Sequence, residues 1–143
     1  MKYSKQGLQL TEKFEGCKLD AYLDQVGVPT IGYGHTRGVK ISDTCTQEQA
    51  EKYLLEDITI AEQDVNNNLK VEVTQSEFDS LVDFTFNLGC SAFNNSTLLK
   101  DINDRNFQSA IGEFEKWDHA GGKVVSGLLK RRLAEQEQFK EGL

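Results

Sequence analysis

Apolar residues recur at three- and four-residue spacing along most of this chain, and one early stretch breaks that rhythm. Ser4 stands where it caps a first helix, with Leu10 and Phe14 on one face and Gly16 at its end. Residues 17–41 read instead as strands, at 19–22 and 30–33, with a third expected at 38–41. Asp24-Gln25-Val26-Gly27 is the turn between the first two, and Pro29 sits at a strand start, where its missing N–H costs least. Gly32 and Gly34 are placed two apart on one strand face, which predicts close approach of another backbone or of a ligand.

Helical periodicity resumes at Thr46-Gln47-Glu48-Gln49, a capping-box pattern. Ala50, Tyr53, Leu54, Ile58, Ala61 and Val65 then share a face, so a long helix runs to about Val65 and ends in Asn66-Asn67-Asn68. Thr74-Gln75-Ser76-Glu77 repeats the box ahead of Phe78, Leu81, Val82, Thr85 and Phe86, with Gly89 as the stop. Shorter helices are expected at about 96–104 and 106–117. A last helix begins near Ser126 and carries Leu129, Leu133 and Phe139. Ala120-Gly121-Gly122 reads as a linker. Order and lengths together predict a mainly helical α+β fold. The length suits one domain of 143 residues, in which the long helix can span two lobes.

The net charge of −7 argues against nucleic acid as a partner. No run of 18 apolar residues predicts a transmembrane helix, and the first residues lack the apolar core of a signal peptide. Cys17, Cys45 and Cys90 are odd in number and have no metal spacing, so they read as free thiols, and no metal or other cofactor is expected. Lys123, Lys130, Arg131 and Arg132 form a basic cluster, read as a solvated helix face or the lip of a cleft.

The chemistry concentrates between Glu15 and His35. Glu15 and Asp24 flank the predicted hairpin in unlike settings, and Thr30 follows. A carboxyl that stays protonated and one that stays ionised are what glycoside hydrolysis needs. Glu15 in the last turn of its helix faces the negative end of the dipole, which raises a carboxyl pKa.

Glu15-Gly16, Asp24, and Thr30-Ile31-Gly32-Tyr33-Gly34-His35 resemble the active-site motif of the phage-type lysozymes, the endolysins of glycoside hydrolase family 24. Phe84-Thr85-Phe86-Asn87-Leu88-Gly89 with Ser96-Thr97-Leu98-Leu99 is similar to the family's second block. Trp117–Gly122 and Gly127–Arg132 are similar to its third. Asp118-His119, Leu133 and Cys17 depart from the usual pattern without touching the carboxylates. The resemblance implies a lysozyme-like fold, with a small β-containing N-terminal lobe (about 14–60) and a helical lobe (about 61–143 with 1–13) joined by the long helix, and an endolysin that cleaves the β-1,4 bond between N-acetylmuramic acid and N-acetylglucosamine in peptidoglycan. Glu15 would be the general acid, Asp24 and Thr30 would hold the water, and Phe86, Asn87 and Thr97 would line the substrate site. Arg131 or Arg132 would pair with Glu15. His35 would fix the hairpin through a carboxylate of the next helix. It also implies a monomer, made in the host cytoplasm, that depends on a separate membrane-permeabilising protein. Three rivals stand beside this reading. They are a cysteine–histidine peptidase using Cys17, a lytic transglycosylase, and a non-catalytic wall-binding module.

Overall fold

The computed structural model describes residues 1–120 and 122–143. They form two compact units, one of Leu8–Ile60 and one of Met1–Gly7 with Ala61–Leu143.

In the first of these units, helix α1 (Lys5–Glu15) supplies its C-terminal part and ends where Gly16 turns left-handed at φ +66. Strands β1 (Lys18–Leu23) and β2 (Pro29–Gly32) pair antiparallel, with Tyr22 opposite Thr30 and an irregularity between Lys18 and Tyr22. The expected turn is present: Gly27, at φ +83, donates its N–H to the Asp24 carbonyl at 3.0 Å. The third strand expected at 38–41 does not form. Gly38 at φ +73 sits in one turn, and Asp43 closes a second by bonding both backbone groups of Lys40. Residues 43–45 take that place, with Thr44 bridging Asp20 and Cys45 donating to the Leu19 carbonyl.

Gly32 and Gly34 do not share a strand face either. The chain reverses between them, both at positive φ, and Ile31 bridges His35. The close approach expected at Gly32 is real: a Cβ there would lie 3.2–3.3 Å from Ala50. Ala50 belongs to α2 (Gln47–Asn68), whose N-terminus carries the capping box, with Thr46 Oγ1 accepting from the Gln49 N–H and Gln49 returning a bond to the Thr46 N–H. The helix runs on through the three asparagines.

In the other unit, α3 (Gln75–Leu88) also starts at a complete capping box, Thr74 with Glu77, and stops at Gly89. A short helix α4 (Cys90–Asn94), absent from the sequence-based expectation, precedes α5 (Thr97–Asn103), which Ser96 caps. The helix expected at 106–117 is split into α6 (Phe107–Glu113) and a 3-10 turn, Phe114–Trp117. Strands β3 (His119–Ala120) and β4 (Lys123–Val124) pair where a linker was expected; Gly121 of that stretch lies outside the described residues. Helix α7 (Ser126–Glu141) closes the chain.

The core of this unit centres on Phe84. Phe93, Phe114 and Trp117 meet its ring edge-on at centroid distances of 6.3, 5.9 and 5.6 Å. The first residues are tied in by polar bonds: the Met1 ammonium to Asn66, the Tyr3 N–H to Glu62, and the Ser4 hydroxyl to Asp79.

Candidate active site

Glu15, Asp24 and Thr30 all lie in the unit built from Leu8–Ile60. Glu15 is the last residue of α1, and its carboxylate is held at the turn after β2: a Cβ on Gly34 would stand 2.7 Å from Glu15 Oε1. Only a glycine leaves that room, and only a glycine sits without strain at the φ of +79 found there.

Asp24 opens the hairpin turn. Its Oδ1 accepts from the N–H groups of Val26 and Val28, at 2.9 and 2.8 Å, so the turn itself aims the carboxylate. The Val28 carbonyl then accepts from the Asp24 N–H at 3.0 Å and from the Thr30 hydroxyl at 2.9 Å. One residue of backbone therefore fixes both side chains. Because the Thr30 hydroxyl donates to that carbonyl, its oxygen is left as an acceptor. Thr30 is 3% exposed.

Tyr22, which the sequence reading treated as a strand residue only, joins these groups. It is the cross-strand partner of Thr30. Burial raises its pKa, and the charges of Glu15 and Asp24 raise it further, so the phenol lies within electrostatic reach of both carboxylates and keeps its proton. The Lys18 ammonium sits 4.5 Å from the centre of its ring. The signal was available in principle. Tyr22 alternates with Asp24 along the chain, but the irregularity in β1 hides which residues share a face.

His35 bonds through Nδ1 to Asp57 of α2 at 2.8 Å and stacks on Tyr53 at a centroid distance of 4.2 Å, interplanar 5°. This clamp holds the turn carrying Gly34 against α2. Cys17 points its thiol at Gln47, 3.6 Å away, and all three cysteines are free thiols. Among the described residues no group of three or more His, Cys, Asp or Glu side chains is placed to hold a metal ion.

Phe86, Asn87 and Thr97 lie in the other unit, the first two on α3 and Thr97 as the first residue of α5. Phe86 and Asn87 are half-buried and Thr97 is exposed; the core position on α3 is Phe84 rather than Phe86. Arg131 and Arg132 are neither a solvated face nor a lip, because both are buried. Arg131 makes a two-pronged pair with Asp83, both bonds 2.9 Å. Arg132 donates from Nη2 to Asn87 Oδ1 at 2.8 Å and to Glu135 Oε2 at 2.9 Å. Its Nε lies 2.8 Å from Glu135 Oε1, an ion pair too poorly aligned for a hydrogen bond. Burial drives the Glu135 pKa well up, helped by Asp83, and drives that of Arg132 down against the pull of Glu135.

Residues 12–135 match the family model described as phage lysozyme. The chain is 43% identical over 143 residues to an endolysin of Acyrthosiphon pisum secondary endosymbiont phage 1, covering 97% of this chain and 98% of that one. It is 44% identical over 148 residues to the endolysin of Bacillus phage B103, covering 99% of this chain and 55% of that longer protein. The solved endolysin from Escherichia coli O157:H7 phage FAHEc1 superposes with a TM-score of 0.92 at 38% identity, covering 100% of this chain and 96% of that one.

Proposed function

The chain belongs to the phage lysozyme family, and on that premise we propose that Glu15, Asp24 and Thr30 carry out its reaction. It is a lysozyme, a glycoside hydrolase acting as a peptidoglycan-cleaving endolysin. Glu15 gives its proton to the glycosidic oxygen as the bond to the anomeric carbon breaks. A water on the opposite face donates one hydrogen to the Asp24 carboxylate and the other to the Thr30 oxygen. Its lone pair then points at the carbon, and Asp24 takes up the proton the water loses. The observation that carries this reading is the shared Val28 backbone: it spends Thr30's own hydrogen on a carbonyl and orients Asp24, leaving two acceptors for one water. Phe86, Asn87 and Thr97 are the proposed substrate contacts.

Release of reducing ends from purified peptidoglycan, with product masses, tests the reaction. Wild type is expected to give reducing sugars, and Glu15→Gln to lose at least about a hundredfold in rate. Anhydro-sugar products would make the enzyme a transglycosylase, and cleavage untouched by the swap would remove Glu15 from the mechanism. Direct attack by that water inverts the anomeric carbon, so the anomer first released is expected to be the inverted one, and a retained anomer would overturn this step.

The reading extends to a monomer that reaches the wall with the help of a separate membrane-permeabilising protein. No helix among the described residues is long and apolar enough to cross a membrane. Expression inside bacteria is then expected to cause lysis only once the inner membrane is opened by another agent. Lysis without such help, followed as culture turbidity, would overturn that part.

A further inference from the structure

Asn87 enters the proposed function as a substrate contact, and what it offers a substrate depends on which way its amide faces. An arginine has only donors, so the Asn87 atom that Arg132 meets at 2.8 Å is the carbonyl oxygen. The NH2 group is left over. Among the described residues it makes no hydrogen bond, and Asn87 is half-exposed. Arg132 cannot turn to release it. Its side chain is fully buried, gripped by Glu135 at 2.9 and 2.8 Å, with the guanidinium carbon 5.3 Å from the centre of the Phe84 ring.

We propose that Arg132 is a positioning residue that locks the Asn87 carbonyl inward, so that Asn87 meets the glycan solely as a hydrogen-bond donor, to the N-acetyl carbonyl of a bound sugar. The N-acetyl oxygen is the strongest neutral acceptor on the glycan, and a fixed donor selects for it without rotating to suit a hydroxyl. Glu135 holds Arg132, Arg132 holds Asn87, and Asn87 reads the sugar. The chain of contacts runs from the buried side of α7 to the partly exposed side of α3. This inference rests on the hydrolase reading above, because it takes Asn87 as a substrate contact.

The test is reducing-end release by the full chain from soluble peptidoglycan fragments over a range of concentrations, with thermal midpoints measured alongside. Asn87→Asp still offers Arg132 an acceptor but presents an oxygen where the NH2 stood. Its KM is expected to rise roughly tenfold, its kcat to change far less, and its thermal midpoint not to fall. Asn87→Ala is expected to raise KM similarly and also to lower the midpoint, since a buried N–H of Arg132 loses its acceptor. On N-deacetylated fragments, whose freed ammonium offers no acceptor to an NH2 group, the wild-type KM is expected to rise to that of Asn87→Asp or above it, because the aspartate there meets a cation. Wild-type KM in Asn87→Asp would overturn the proposal and leave the hydrolase reading intact, because it would reduce Asn87 to a partner for Arg132. A wild-type KM still below that of Asn87→Asp after deacetylation would overturn the N-acetyl assignment. No reducing ends from wild type would overturn the hydrolase reading, and this proposal with it.

Discussion

At the scale of single residues, Gly34 is the tightest constraint on the proposed chemistry. Gly34→Ala would place a methyl 2.7 Å from Glu15 Oε1 and force an L-residue to φ +79. Gly38→Ala is the matched control: its φ is +73, and nothing lies within 4 Å of the added carbon. Both are expected to lose about 1 kcal/mol to strain. Only the first should lose activity, by roughly a hundredfold, because it moves the proton donor by a fraction of an ångström or more. Equal kcat losses in the two variants would mean that the Glu15 contact is unimportant. The turn at Asp24, the close approach at Gly32 and the His35 clamp were legible in the sequence, since each belongs to a short motif whose geometry is local, whereas the strand face expected to carry both Gly32 and Gly34 is lost because the chain reverses between them. Tyr22 was not legible, because its place beside two carboxylates depends on an irregular strand register. The burial of Arg131 and Arg132 was hidden for a different reason. A charge is read as solvated until its partners are known, and Asp83 lies far away in sequence.

At the scale of elements, α7 packs its polar side inward. Arg131, Arg132, Glu135, Gln136 and Gln138 are buried with Phe139, whereas Leu133 is 39% exposed. Glu135→Ala strips Arg132 of its carboxylate inside the protein and is expected to cost about 3–5 kcal/mol. Leu133→Glu is expected to change stability by less than about 0.5 kcal/mol. Urea unfolding midpoints measure both, and the opposite ranking would mean that α7 presents its apolar side to α3. Helices with a capping box at their start, α2 and α3, were readable in advance because cap and periodicity agree. The five-residue α4 and the two-residue strands β3 and β4 are too short for any period to show. The third strand failed because its apolar residues alternate correctly, yet Gly38 and Asp43 favour turns and win locally.

At the scale of the whole molecule, the partly buried thiols and phenols set an alkaline limit. Burial raises Cys45 and Cys90 above 9.0, and Tyr22 and Tyr33 above 10.0. In the unfolded chain these groups ionise at their ordinary values, while the folded protein still holds the protons. Stability is therefore intact below about pH 9 and falls as pH climbs through the raised values. The urea midpoint is expected to decline from about pH 9, and in a Cys45→Ala, Cys90→Ala variant only from about pH 10. A midpoint flat to pH 11 would contradict this. The fold class was legible at this scale from the order of the elements. The units divide between Ile60 and Ala61, where the sequence reading divides the lobes, and between Gly7 and Leu8 rather than near residue 13, since periodicity continues through α1 without a break. Those boundaries also impose an order of events during synthesis. A ribosome that has just added Ile60 has made every residue of the Leu8–Ile60 unit, whereas Met1–Gly7 still wait for Glu62, Asn66 and Asp79. The first helix thus has one end whose unit is complete at Ile60 and another whose preceding residues gain their distant partners only as the chain extends to Asp79. Once Asp79 is made those first partners all exist, whereas Asp83 and Asn87 still wait for Arg131 and Arg132, so the two ends of the chain are tied in at separate stages.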